Sequence, residues 1–151
     1  MIDKAHDEVR RISHNLMPAD LRAGGLPLAV RKLTDDMSKI HAIPTDLEIH
    51  GLGEGRLDEK KELIVYRIIQ ELLTNVVKYA EADCVLVQLS KYGEELQILV
   101  EDNGKGFDYH EAILKEGLGL KSILSRLDQV NGHMDVKSDR EGSSFSINIT
   151  V

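Results

Sequence analysis

Residues 58–80 read DEKKELIVYRIIQELLTNVVKYA, and apolar residues recur in this stretch at the three- and four-residue spacing of one helix face. Asp58 precedes the run and suits an N-cap position, because its carboxylate can accept a hydrogen bond from an amide of the first helical turn. The pattern therefore predicts a long helix that ends near Ala80. Its broad apolar face predicts that the helix packs in the core, through Val65, Ile68, Ile69, Leu72, Leu73, Val76 and Ala80.

The chain on both sides of this helix alternates between helical and strand patterns. A helix is predicted at 26–40 and a strand at 46–50. Strands at 84–90 and 94–101, a helix at 119–130, and strands at 134–138 and 144–151 follow the long helix. Short turns at 91–93 and 139–143 predict two hairpins. This order predicts an α/β (α+β) two-layer sandwich, in which helices cover one face of a sheet of about five strands.

Composition excludes several classes of protein. The 151 residues carry 19 Lys and Arg against 26 Asp and Glu, a net charge of −7, so no basic surface for nucleic acid is expected. Uncharged stretches fall short of the ~18 apolar residues of a membrane helix. Cys84 is the only cysteine, which excludes internal disulfides, and its place in a predicted strand favours a core thiol. We expect a cytoplasmic domain.

A polar stripe runs along the long helix. Arg67, Glu71, Asn75 and Lys78 recur at helical spacing opposite the apolar face. A solvated face is the ordinary interpretation of such a stripe. Asn75 argues against it, because asparagine is a poor helix former that a free surface position does not favour.

Three short motifs follow predicted strands or open a helix. Residues 101–107 read EDNGKGF, which fits a tight turn, but also a backbone that approaches a flat ligand while Asp102 accepts a hydrogen bond from an exocyclic amine such as that of adenine. Residues 117–120 read GLGL where a helix begins, and the free amides of a helix N-terminus suit a phosphate. Gly142 and Ser143 start the last strand, where a hairpin turn is the simpler interpretation.

Other chemistries lack support in the sequence. No Walker A loop and no GxGxxG dinucleotide motif is present, and the nucleophile elbow GxSxG is also missing. The six histidines include no pair four residues apart, so no histidine-based metal site is predicted.

Taken together, the motifs resemble the GHKL ATPase superfamily, and within it the ATP-binding catalytic domain of bacterial two-component sensor histidine kinases. Residues 66–78 look like the N box of that family, Asp102-x-Gly104-x-Gly106 like its first glycine box, and residues 117–120 like its second. Gly142-Ser143 stands in the place of the last Gly-Thr element. The resemblance implies the mixed sheet of the GHKL (Bergerat) fold.

The N-terminal stretch narrows the resemblance. Residues 2–16 carry a short coiled-coil seam, and residues 11–18 (RISHNLMP), with Leu21 and Gly25-Leu26, are similar to the end of the dimerisation helices in kinases whose response regulators are of helix-turn-helix type. We therefore expect residues 1–22 to be the end of a dimerisation helix and residues 23–151 the catalytic domain. The family's phosphoacceptor lies on the preceding helix, so we expect neither His6 nor His14 to accept phosphate.

The resemblance implies a role for each motif residue. Glu71 would be the catalytic base, Asn75 the Mg²⁺ ligand, Asp102 the reader of adenine, and residues 108–116 the ATP lid. Tyr79 stands where the family usually has His, and Ser143 where it has Thr, and both offer a hydroxyl. The implied ATP-binding residues are Glu71, Asn75, Lys78, Tyr79, Asp102, Gly104, Gly106, Gly117, Leu118, Gly119, Leu120 and Ser143.

The implied activity is transfer of the ATP γ-phosphate to a histidine of the protein's own upstream dimerisation helix. The implied partners are a response regulator and a second copy in a full-length homodimer, whether or not that protein also has a membrane anchor. Two alternatives remain open: a GHKL serine kinase of the anti-sigma type, and a non-catalytic ATP-binding or dimerisation module.

Overall fold

A computed structural model describes residues 17–53, 55–115 and 119–151 of the chain. These residues form four α-helices and five strands, and the second helix continues into one π-helical turn at Val76–Ala80. The helices are α1 (Ala19–Lys39), α2 (Glu59–Asn75), α3 (Tyr109–Leu114) and α4 (Leu120–Asp128). The strands are β1 (Thr45–His50), β2 (Val85–Tyr92), β3 (Glu95–Asp102), β4 (His133–Asp139) and β5 (Gly142–Thr150).

The five strands form one mixed sheet in the order β1-β2-β3-β5-β4. β1 and β2 pair in parallel, because α2 connects them as a crossover, and the other pairs are antiparallel. β2 and β3, and likewise β4 and β5, are joined by short hairpins, as the sequence predicted. The two edges of the sheet are β1 and β4.

One face of this sheet forms the core with the helices. Val87, Val100 and Phe145 are neighbours in one row across β2, β3 and β5, and Leu89, Ile98 and Ile147 form the next row. All six are buried, whereas residues between them are half-buried or exposed. The alternation leaves the second face open, so the predicted two-layer sandwich with one covered face is confirmed.

A third row on the covered face turns polar where the sheet ends. In this row Asp102 on β3 pairs with Val85 on one side and Ser143 on the other, and Ser143 pairs with Ser138 of β4. Three adjacent strands thus place a polar side chain at a position that is apolar in the rows before it. The row marks the end of the core and the start of a polar site.

Helix α1 begins earlier than the sequence pattern predicts. It starts at Ala19, after Pro18, and passes Gly24 before it bends at Gly25, where φ is 72° and ψ is −165°. The two glycines, which we expected to precede the helix, therefore form a kink inside it. The predicted domain boundary between residues 22 and 23 lies just before this kink, and the predicted coiled-coil seam, with His6 and His14, lies outside the described residues.

An ion pair between the buried Glu62 carboxylate and the partly exposed Arg56 guanidinium fastens the kink to α2. Glu62, in the first turn of α2, is 2% exposed and accepts hydrogen bonds from the Leu26 amide at 3.2 Å and from Nε of Arg56. Nη2 of Arg56 lies 3.1 Å from the Glu62 carboxylate and also donates to the Leu21 carbonyl at 2.9 Å. Both oxygens of the Glu62 carboxylate therefore have a partner within the protein. Glu62 binds the chain after the kink directly and the chain before it through Arg56.

Cys84 is not the core thiol that the sequence predicted. β2 begins at Val85, one residue later than expected, and Cys84 is exposed. The Asn103 side chain explains the difference, because its oxygen accepts hydrogen bonds from the amides of Asp83 at 2.7 Å and Cys84 at 3.0 Å. These bonds hold the approach to β2 as a loop.

In the described part of the chain, no helix combines the length and the apolar character that crossing a bilayer requires.

Candidate nucleotide-binding site

A cavity lies where the end of α2, the polar row of the sheet and the start of α4 meet. Its described lining combines a few polar groups with apolar and aromatic walls, the usual composition of a small-molecule site. The lining residues are Leu72, Asn75, Val76, Tyr79, Ala80, Asp102, Gly106, Phe107, Leu120, Ser143 and Phe145.

The α2 end of the cavity is built by the π-helical turn. Asn75 is the last α-helical residue, and the wider turn at Val76–Ala80 brings Tyr79 and Ala80 to the cavity before Glu81 ends the helix in a left-handed conformation, with φ of 53°. A π-turn within a helix is uncommon and is found mostly at functional sites. The sequence predicted a regular helix here and gave no sign of this turn.

Asp102 supplies the partly buried carboxylate of the cavity. Its Oδ1 accepts a hydrogen bond from the Gly104 amide at 2.8 Å, and the Ser143 amide also donates to the carboxylate. Burial raises the pKa of Asp102, and these two amide bonds oppose the rise. The backbone thus fixes the carboxylate from one side and leaves it facing the cavity on the other.

The first glycine box closes tightly on the end of α2. A Cβ at Gly104 would lie 2.1 Å from the Ala80 carbonyl oxygen, and the amide of Lys105 donates to that same oxygen at 2.8 Å. Gly104 is therefore required by packing between two backbones and is not part of the cavity wall. Gly106, the second glycine of the box, does line the cavity.

Aromatic side chains form a wall that sequence reasoning missed. The chain contains two phenylalanines, and both line this cavity, with Phe107 and Phe145 stacked at 5.9 Å between centroids and 16° between planes. Leu72 and Val76 add aliphatic surface. Periodicity assigned the aliphatic residues to the core, and the one available signal for the wall was that Phe107 directly follows the glycine box.

The side chain of Glu71, on α2, reaches the start of α4. A Cβ placed on Gly119, which precedes the helix with φ of 65°, would lie 2.1 Å from Oε1 of Glu71. The glycine is therefore needed both for its backbone conformation and for the room that the carboxylate takes. Gly117 and Leu118 of the second glycine box lie outside the described residues.

The polar stripe of α2 is not one solvated face. Arg67 is 7% exposed, and its guanidinium lies 5.5 Å from the centre of the Tyr66 ring. Burial, with a contribution from the charge of Arg126, lowers the pKa of Arg67. Lys78, in contrast, is exposed at a second groove between α1 and α2, where it lies with Leu33, Met37 and His41.

The structure brings most of the predicted site residues together. Asn75, Tyr79, Asp102, Gly106, Leu120 and Ser143 line the cavity. Gly104 packs on Ala80 of the lining, Gly119 contacts Glu71 where α4 begins, and Lys78 lies at the other groove. The predicted lid contains the short helix α3, whose N-cap Asp108 accepts a hydrogen bond from the Glu111 amide at 3.1 Å.

The donor set suits a magnesium ion that is shared with a ligand. Within residues 17–53, 55–115 and 119–151, no group of three or more His, Cys, Asp or Glu side chains could hold a metal. Asn75, whose side chain contains one amide oxygen, lines the cavity. Because Mg²⁺ keeps several waters and takes few protein ligands beside substrate phosphates, a single Asn oxygen is compatible with it.

Cavity, glycine box and sheet together define a nucleotide-binding ATPase domain, and comparison with known proteins gives its family. Residues 60–151 match the family of histidine kinase-, DNA gyrase B- and HSP90-like ATPases. The chain belongs to this family. The motif boxes in the sequence indicated the same family, and the match identifies an ATPase domain.

One curated relative is similar over the whole chain, and two solved structures share the fold. The chain is 31% identical, over its full length, to the signal transduction histidine-protein kinase/phosphatase DegS of Brevibacillus brevis, and it spans 39% of that relative. The histidine kinase domain of a blue-light activated kinase from Erythrobacter litoralis shares the fold with a TM-score of 0.65 and 19% identity, covering 82% of this chain and 63% of that one. The histidine kinase AdeS of Acinetobacter baumannii also shares the fold, with a TM-score of 0.65 and 18% identity, covering 87% of this chain and 64% of that one.

Proposed function

We propose that this domain binds ATP with Mg²⁺ and, within a longer protein, transfers the γ-phosphoryl group to a histidine on an upstream helix. The observation that carries the proposal is the Asp102 carboxylate, held by two backbone amides beside an aromatic-walled cavity at the end of α2. The geometry supplies a hydrogen-bond acceptor and flat apolar walls in one place. A purine with an exocyclic amine is the ligand that such a pair fits.

The adenine end of the proposal rests on donor and acceptor matching. An ionised carboxylate accepts hydrogen bonds and does not donate them, so Asp102 would accept from the N6 amine of adenine. Guanine presents a carbonyl oxygen at the equivalent place and would leave both groups unpaired. The Phe107 and Phe145 wall and the aliphatic side chains of α2 would bury the base.

The phosphate end is assigned to the start of α4 and the end of α2. The amides of a helix N-terminus and its positive dipole end suit phosphates, which supports a role for Gly117, Leu118, Gly119 and Leu120. Asn75 would hold Mg²⁺, which would neutralise phosphate charge when bound. Tyr79 would add a hydroxyl contact here, and Ser143, which pairs with Asp102, would add one at the adenine end. Lys78, which lies at the second groove, would add positive charge from a greater distance.

Glu71 is proposed as the catalytic base. In the transfer, a histidine nitrogen forms a bond to the γ-phosphorus while the bond from that phosphorus to the bridging oxygen breaks, and ADP leaves. The proton of the attacking histidine would pass to the Glu71 carboxylate. Proton transfer to a positioned carboxylate contributes about 10²- to 10⁴-fold in rate.

The parts of the protein that precede this domain are assigned by resemblance. We assign residues 1–22 to the end of a dimerisation helix and residues 23–151 to the catalytic domain, in a cytoplasmic homodimer. The phosphoryl group would pass from the upstream histidine to a response regulator of helix-turn-helix type. The relative named as a histidine-protein kinase/phosphatase, which is similar over the full chain, supports this arrangement.

Calorimetry and phosphotransfer test the proposal. ATP is expected to bind in the presence of Mg²⁺ and GTP far more weakly, and equal affinity for the two would remove the adenine-reading role of Asp102. Labelled phosphate should reach, in trans, a partner protein that carries the proposed phosphoacceptor helix. Acid-labile label on His6 or His14 of the isolated 151 residues would contradict the assigned helix.

Asn75→Ala tests the metal assignment separately. Because Asn75 lies at the α2 end and Asp102 at the sheet end, the variant should bind ATP with a weaker dependence on Mg²⁺ and retain its preference over GTP. Thr74→Ala is a matched control on the neighbouring position, whose hydroxyl bonds to the Gln70 carbonyl at 2.8 Å within the helix. An unchanged Mg²⁺ dependence in Asn75→Ala would overturn the assignment.

A further inference from the structure

Ser138 lies behind the cavity and contacts two parts of its wall. Its Oγ accepts a hydrogen bond from the Phe107 amide at 2.8 Å and lies 2.8 Å from Oγ of Ser143. Ser138 is on β4, directly opposite Ser143 in the β4–β5 pairing. One hydroxyl therefore joins the loop of the first glycine box to the hairpin at the end of the sheet.

Both partners of Ser138 belong to the cavity. Phe107 provides half of the stacked aromatic wall. Ser143 is 6% exposed, lines the cavity, and donates its amide to the Asp102 carboxylate. A displacement of Ser138 would therefore reach the wall, the hydroxyl and the carboxylate through two hydrogen bonds.

The hydrogen atoms of this cluster allow two arrangements. A serine hydroxyl has one proton and two lone pairs, and the Phe107 amide occupies one lone pair of Ser138. If Ser138 donates to Ser143, the Ser143 proton stays available for an acceptor in the cavity. If Ser143 donates to Ser138, the lone pairs of Ser143 face the cavity instead, so Ser143 can meet either a donor or an acceptor on a ligand.

We propose that Ser138 is a positioning residue of the nucleotide site, which sets the Ser143 hydroxyl and the Phe107 main chain where a purine nucleotide meets them. This inference rests on the proposed binding of ATP in the cavity. Ser138 acts through its two partners and does not itself belong to the described lining.

The test compares three single variants by calorimetry with Mg-ATP. Ser138→Ala removes both hydrogen bonds and should weaken ATP binding about tenfold, the effect of roughly one to two lost hydrogen bonds. Ser138→Thr keeps the hydroxyl and should bind within about twofold of the parent on the same scale. Ser144→Ala is the matched control, because Ser144 follows on β5 with its side chain on the opposite face of the sheet.

Two further measurements separate positioning from mere support of the fold. The thermal midpoint of the free protein should be nearly equal in all variants, while hydrogen exchange at the Phe107 amide should accelerate in Ser138→Ala and not in Ser138→Thr. The double variant Ser138→Ala/Ser143→Ala should lose less affinity than the product of the two single losses. Should Ser138→Ala fail to fold, Ser138→Cys keeps the volume, weakens the hydrogen bonds and takes its place.

The outcomes distinguish this inference from the proposed function. A parent protein that does not bind ATP removes the proposed function. A parent that binds ATP, with Ser138→Ala binding equally well or Ser138→Thr failing to restore affinity, overturns the role of Ser138 alone. Multiplicative losses in the double variant would show that the two hydroxyls act independently and would also overturn it.

Discussion

Glu62 and Asp102 are two carboxylates withdrawn from water at opposite ends of α2, and their surroundings differ. Glu62 is 2% exposed and receives the guanidinium of Arg56 and the Leu26 amide, so all its partners are inside the protein. Asp102 receives two backbone amides on one side and faces the cavity on the other. Burial raises the pKa of Asp102, because no cation in the described contacts offsets it.

The difference shows how to tell a structural carboxylate from a binding one. A buried acid that is fully paired within the chain stabilises the fold. Removing one member of such a pair lowers the free energy of unfolding, because the other member loses its partner. A partly paired acid at a cavity can still accept a hydrogen bond from a ligand, although its burial costs the free protein some stability. Variants at the two positions should therefore act on different quantities.

The largest effect is expected when Arg56 is replaced. Arg56→Ala leaves the Glu62 carboxylate buried without its cation and should lower the free energy of unfolding by about 3 kcal/mol, as measured in urea. Affinity for ATP should be unchanged where the variant is folded. Arg31→Ala, at an exposed position of α1, is the matched control. A loss of ATP affinity equal to that of an Asp102 variant would abolish the distinction between the two carboxylates.

The second prediction concerns Asp102→Asn. This change replaces one acceptor oxygen by a donor that faces the N6 amine of adenine, and ATP affinity should fall by about 2 kcal/mol. The thermal midpoint of the free protein should move little, because shape is kept. Glu101→Gln, on the exposed neighbour, is the control and should leave calorimetric affinity as it is. A large drop in midpoint with little loss of affinity would make Asp102 structural, like Glu62.

The third prediction extends the comparison to the segments beside each carboxylate. Residues 108–115 follow the glycine box and carry only the six-residue helix α3, with Leu114 80% exposed. Their amides should exchange quickly in the free protein and more slowly with ATP, because loops that order on ligands have low local stability. The amides near the kink of α1 should exchange equally in both states. Equal rates at 108–115 would mean that α3 is fixed before the ligand binds.

The smallest effect is a pH dependence. The pKa of Asp102 is raised in the folded state by burial, so the native protein keeps a proton that the unfolded chain has already lost between the ordinary and the raised pKa. In this window the unfolded state binds fewer protons, and stability falls as pH rises. Asp102→Asn should remove that part of the profile, seen as a difference between the urea curves of the two proteins. Parallel profiles for the two proteins would argue against the raised pKa.

Local patterns in the sequence were enough to predict the layers of the fold. Strand alternation and the apolar face of α2 both report on which residues meet the core, and both were confirmed. The kink of α1 was missed because its glycines look like a helix boundary, while the Glu62 ion pair that fastens them comes from 36 residues further along the chain. Contacts of that range leave no periodic trace.

The candidate site was predictable in its polar residues and not in its walls. Asp102 and Ser143 lie at the ends of strands whose residues alternate between the two faces, and Ser138 lies on the same face as both. The polar row across three strands was therefore visible in the sequence pattern. The π-turn and the stacking of Phe107 on Phe145 depend on tertiary packing. Lys78 lies within this turn and is exposed at the second groove, a placement that helical spacing alone did not predict.

The two edge strands of the sheet bear on how copies of this domain meet one another. Among the strands that the structure describes, β1 and β4 each have no neighbour on one side, and such an edge can pair with another sheet. The exposed side chains along them are all ionisable: Asp46, Glu48, His50, His133, Asp135, Lys137 and Asp139. Such charges oppose edge-to-edge aggregation. Two copies of this domain held close together would therefore not join their sheets, and each would remain free to move.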